Sequence, residues 1–122
     1  MKLSEAINQV KKEKPHSFSE DHTALFITEV EMAVQEFLGI PIPERKKYDW
    51  KEDGGIELIV PAPYDVLYLS YLKAKIDYAM EEYESYATNQ AQFDADFAEF
   101  KAWAVREGKV LKKLPSKIRN WW

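Results

Sequence analysis

The sequence predicts a mainly α fold: a four-helix domain with one small β-hairpin, a long central helix and an extended C-terminal tail. Three observations carry that prediction. Pro63 to Asn89 runs for about six turns with no Gly or Pro after its opening proline, and holds six of the seven tyrosines. Glu20 to Leu38 is a second uninterrupted run, with Ser19 before it and Gly39 after it. Apolar and charged residues alternate in only one passage, around Asp53-Gly54-Gly55.

The first helix is expected over residues 3–14. Ser4 suits an N-cap, Leu3, Ile7 and Val10 share a face, and Lys11, Lys12 and Lys14 favour the C-terminal end of the dipole; Pro15 stops it. The second helix has Glu20 and Asp21 in its first turn. Its predicted core face is Phe26, Ile27, Val30, Ala33, Val34, Phe37 and Leu38. Ile40 to Pro43 is expected to be extended, because each proline disfavours helix in the residue before it.

In the alternating passage, Tyr48 and Trp50 alternate with charged residues, and Ile56, Leu58 and Val60 alternate with Glu57 and Ile59. Asp53-Gly54-Gly55 between them reads as the turn of a hairpin. An isolated hairpin is marginal in water, so it must rest on helices or on another chain. Pro61 and Pro63 end it. A fourth helix follows from about Gln90 to Glu107, with a stripe of Phe93, Phe97, Phe100 and Ala104, and Gly108 beyond it. The segment 109–122 differs in character, with Leu111, Leu114, Ile118 and Trp121 at helical spacing and Pro115 interrupting them. The chain therefore reads as a helical domain over 1–108 and a basic, Trp-ended arm over 109–122.

The long central helix carries an excess of apolar surface. At 100° per residue, Tyr64, Tyr68, Tyr71, Tyr78 and Tyr86 fall within roughly 80°, and the leucines, alanines and Ile76 widen the apolar arc to roughly 220°. That exceeds what one small core requires, so the helix is expected to touch several neighbours, in the fold or in another subunit. Leu69, Leu72, Ile76 and Ala79 are assigned to packing on the second and fourth helices. Tyr64, Tyr71, Lys75, Tyr78 and Glu82 are assigned to a subunit interface. Lys75 and Glu82 lie inside the tyrosine arc, either snorkelling to water or pairing with charges across that interface.

Composition limits the chemistry. The absence of cysteine excludes disulfides and thiolate metal sites. His16 and His22 are six apart, which is not the spacing of a helical metal pair. Gly54-Gly55 lacks the other glycines and the lysine of a phosphate loop. The pairs Asp77/Glu81, Glu81/Glu84 and Asp94/Asp96 have no accompanying histidine and read as solvated faces. Neither a catalytic site, a cofactor nor a bound metal is expected, and the plain reading is a soluble protein with no signal peptide and no membrane span.

The formal net charge of −4 is segregated. No Lys or Arg occurs in 15–44 or 76–100, whereas the tail carries Lys109, Lys112, Lys113, Lys117 and Arg119 with no acid among residues 109–122. An acidic body repels nucleic acid and a basic end attracts anionic surfaces. Trp121 and Trp122 would cover the domain's own core, or anchor a docking arm, since Trp is a typical hot-spot residue.

Certain runs together resemble the small head–tail connector (adaptor) proteins of tailed phages and prophages of Gram-positive bacteria. They are Thr28-Glu-Val-Glu31, Glu57-Leu-Ile-Val-Pro61, Pro61-Ala-Pro-Tyr-Asp65, Tyr71-Leu-Lys-Ala-Lys-Ile-Asp77, then Tyr86, Asn89 and the phenylalanine stripe. The match spans roughly residues 20–105. Where such proteins carry an Asn-Gly-Glu-like step after the Ile-Asp pair, this chain has Ala79-Met80-Glu81. The resemblance implies a helical subunit of a ring beneath the portal, in the virion neck and, during assembly, in the host cytoplasm. Its partners would be other copies of itself, the portal protein and the next neck or tail-completion protein. An isolated subunit is allowed to be a monomer. The resemblance also gives the arm a role in portal docking, through Leu111, Leu114, Ile118, Trp121 and Trp122. Glu81, Glu84, Asp94 and Asp96 would face a channel through which DNA passes without specific binding. The alternative is a small phage or regulatory protein that binds nucleic acid through its basic tail.

Overall fold

A computed structural model of the protein describes residues 1–111. In that span the chain is mainly helical, in the order α1 (Leu3–Glu13), α2 (Glu20–Leu38), a 3-10 turn (Ile42–Glu44), α3 (Trp50–Asp53), α4 (Val66–Ala79) and α5 (Tyr83–Arg106). Helix α4 lies at the centre and packs against α1, α2 and α5.

Helix α1 buries Leu3, Ala6, Ile7 and Val10. Its start differs from the expected Ser4 cap: Lys2 is the N-cap, and the Glu5 carboxylate accepts the Lys2 N–H at 2.9 Å. An acid at the third helical position reaches back over the first turn, so no hydroxyl is needed. Helix α2 begins and ends where the sequence places it. The Ser19 hydroxyl accepts the His22 N–H at 3.1 Å, and Gly39 takes a left-handed φ of 79°. Beyond it only part of the stretch is extended, because Ile42–Glu44 close a 3-10 turn.

The β-hairpin does not form among the described residues. Trp50–Asp53 is instead a short helix, with the Asp49 side chain accepting the Lys51 N–H at 2.9 Å and the Asp53 carboxylate accepting the Asp49 N–H at 2.8 Å. Two aspartates capping each other's turn outcompete a strand in this short segment. Residues 56–58 are extended, but their neighbour is the start of the chain. Leu3 N–H donates to the Ile56 carbonyl at 3.0 Å, Leu58 N–H donates to the Met1 carbonyl at 2.9 Å, and Lys2 and Glu57 form an isolated antiparallel bridge.

The predicted long helix is two helices. The chain reverses at Met80–Glu82, with Glu81 in the left-handed region at φ 59°, and the 24-residue α5 runs back along α4. The break therefore falls well before Asn89, which lies inside α5. No Gly or Pro marks it. What holds it is tertiary: Glu82 N–H donates to the Asp77 carbonyl at 2.9 Å, while the buried Asp77 carboxylate accepts from Ser85 and Asn89 of α5, each at 2.7 Å. Folding back supplies the second wall that α4's wide apolar arc requires. Leu67, Tyr68, Leu69, Leu72 and Ile76 are all buried.

Candidate functional site

Helix α2 exposes Ala33, predicted to be core, and buries Thr23, Glu31 and Gln35 instead. Thr28, Glu31 and Gln35 recur at i, i+3 and i+7, forming a polar ladder on one face. The Gln35 amide accepts the Lys46 N–H at 2.8 Å and donates to the Lys46 carbonyl at 3.2 Å. Thr28 accepts the Tyr48 N–H at 3.3 Å. Glu31, fully buried, accepts from the Tyr48 hydroxyl at 2.8 Å, from the Ile59 N–H at 3.0 Å and from the Tyr68 hydroxyl; Tyr68 in turn accepts the Val60 N–H at 2.9 Å. One carboxylate thus ties α2, α4 and both irregular segments together. Burial raises the Glu31 pKa, and hydrogen bonds from Tyr68, Ile59 and Tyr48 pull against that rise without cancelling it. Burial, followed by the Glu31 charge, pushes both tyrosine hydroxyls well above the ordinary range, so they remain donors. This cluster was legible only as a glutamate at apolar spacing between Ile27 and Val34.

The five residues assigned to a subunit interface do not form one free strip. Tyr64 lies against Trp103, with ring centroids 5.4 Å apart. Tyr71 donates to Glu29 at 2.6 Å and meets the edge of Phe93 at 5.0 Å. Lys75 pairs with Glu29 at 3.4 Å and lies over the Phe26 and Tyr71 rings. Glu82 pairs with Lys14 at 3.0 Å. Most of that strip already has partners in its own chain. Tyr78 is the exception, at 60% exposed, and it joins a cluster with Tyr83 and Tyr86 at centroid distances of 6.0 and 5.3 Å. With Met80 (47% exposed) and Tyr83 (58%), it forms an apolar patch at the tip of the α4–α5 hairpin. Ala79, predicted to be core, is exposed there too.

The acids divide in the same way. Glu81, Glu84 and Asp94 are exposed, and Glu81 and Glu84 flank the tip patch. Asp96 is not on that surface: it is buried between α4 and α5, where it accepts from Ser70 at 3.0 Å and from Gln92 at 2.8 Å. Asp77, read from sequence as solvated, is likewise buried and faces the Lys14 ammonium at the end of α1. Burial alone would raise its pKa. Lys14, Ser85 and Asn89 outweigh that effect and hold the carboxyl below its ordinary value.

Of the docking residues assigned to the tail, Leu111 is exposed, and Leu114, Ile118, Trp121 and Trp122 lie outside the described residues. The chain leading to them stays against the domain: Val110 packs on the core and Leu111 N–H donates to the Leu38 carbonyl at 2.7 Å. Among the described residues no group of three or more His, Asp or Glu side chains is placed to hold a metal ion, and no helix is long and apolar enough to cross a membrane. Comparison with protein-family models, with curated proteins and with solved structures gives no match for this chain.

Proposed function

We propose that the protein is a structural subunit of a head–tail connector ring, which binds the portal and the next neck component and extends the DNA channel. The observation that carries this reading is the patch of Tyr78, Met80, Tyr83 and Tyr86 at the hairpin tip. It leaves large amphipathic side chains half exposed, rimmed by Glu81 and Glu84. Exposed tyrosines grouped this way suit assembly contacts, where the ring is buried and the hydroxyl remains hydrated. One further feature supports the resemblance behind the proposal. Its runs at Thr28–Glu31 and Glu57–Pro61 meet at the Glu31 carboxylate, as parts of one fold signature should.

In this reading the ring contact is made by the tip, and the exposed Glu81, Glu84 and Asp94 face the channel, where like charge lets the DNA backbone slide. Co-expression with a portal ring tests it. The full chain should co-purify with the portal, and a chain ending after Gly108 should stay folded and lose it. Retention by the truncated chain would remove the arm from portal docking. Binding to DNA without portal, strongly salt-dependent and lost on neutralising Lys112, Lys113, Lys117 and Arg119, would favour the nucleic-acid reading instead.

A further inference from the structure

The C-terminal ends of α2 and α5 frame a cleft of about 260 Å³ with mostly apolar walls: Leu38, Ile59, Pro61, Phe100, Trp103 and, at the rim, Lys109. Its location follows from the fold. Leu38 at the end of α2 and Phe100 and Trp103 near the end of α5 form two sides, and Ile59 and Pro61, in the irregular segment held by Glu31, form the third. An apolar cavity of about 150 Å³ accommodates a benzene ring, so this cleft has room for one large apolar side chain.

The chain itself is led to the mouth of the cleft. Gly108 turns it through a left-handed φ of 67°, and Lys109 N–H donates to the Ala104 carbonyl at 2.8 Å. Val110 packs on the core, and Leu111 N–H donates to the carbonyl of Leu38, itself a wall of the cleft. The Leu111 side chain does not line the cleft and is 66% exposed. The next apolar residue in the sequence is Leu114, three positions on and so within about 10 Å of the Leu111 anchor.

We propose that this cleft is the seat of the chain's own C-terminal segment, with Leu114 as the side chain that fills it. A segment already anchored at Leu38 reaches the cleft at high effective concentration, which a second copy cannot match in dilute solution. An arm seated here is latched to its own domain, and any partner that takes the arm must first displace it. The seat stands whether or not the connector reading does, since portal co-purification tests that reading alone.

The chain has no native cysteine, so a disulfide pair gives a clean test. Pro61→Cys with Leu114→Cys should close a disulfide within one chain at a rate independent of protein concentration. Glu84→Cys with Leu114→Cys is the control, because Glu84 lies at the opposite end of α5 from the cleft. Cross-linked dimers from the Pro61 pair, or no more intrachain product than from the control, would overturn the proposal. In the cysteine-free chain, Leu114→Ala should lower Tm by about 4 °C. An unchanged Tm would count equally against the seat.

Discussion

Glu31 shows how much one buried acid organises in this chain. Removing it leaves two tyrosine hydroxyls and the Ile59 N–H buried without an acceptor. Glu31→Ala should therefore destabilise the protein by about 3 kcal/mol in a denaturant titration. Glu31→Gln keeps the shape and one acceptor oxygen and should cost about 1 kcal/mol. Asp77 makes a pH-dependent contribution of definite sign. Its folded pKa is depressed, so its stabilisation is complete above the ordinary aspartate value near ~4 and is lost as pH falls through the lowered value. Wild type should thus lose stability relative to Asp77→Asn as pH drops below about 4, measured as Tm against pH. Glu31 has the opposite sign. Its raised pKa makes ionisation unfavourable to folding, and stability declines as pH rises from its ordinary value through the raised one.

At the scale of elements, the reversal between α4 and α5 was not visible because its turn uses ordinary residues. Glu81 sits at φ 59°, a region that disfavours any side chain with a Cβ. Glu81→Gly should relieve that strain and stabilise the protein by about 1 kcal/mol, read from the denaturation midpoint. A helix continuing straight through Met80 predicts a loss of similar size instead. The hairpin failed for a related reason. Period-two alternation at 48–60 was real, but half of the passage is held by side chains of α2 and the rest pairs with residues 1–3. Alternation reports an extended, half-buried backbone and does not name its partner.

For the whole molecule, the question posed by the long helix was whether its apolar excess faces the fold or another subunit. Most of it faces the fold. Tyr78, Met80 and Tyr83 at the hairpin tip remain exposed, and an assembly contact there has a direct consequence. Tyr78→Asp combined with Tyr83→Asp should change unfolding free energy by less than about 1 kcal/mol, because both side chains are already largely exposed. The same pair should abolish ring formation and portal co-purification. Intact assembly in that variant would move the contact elsewhere on the surface.

Sequence alone determined the helical class, the ends of α2, the inward face of α1 and the inward side of the phenylalanine stripe. Each of these follows from caps and 3.6-residue periodicity, which act over a few residues and are written locally. It also determined that the central helix carries more apolar surface than one neighbour can cover. Only the tertiary structure decided how that surface is shared: where the helix breaks, which acids are buried, and that the extended segment 56–58 lies beside the chain's start. Those outcomes depend on pairings between residues far apart, Glu31 with Ile59 and Asp77 with Lys14. A carboxylate reads the same in sequence whether it faces water or three buried donors, and only the fold supplies the donors.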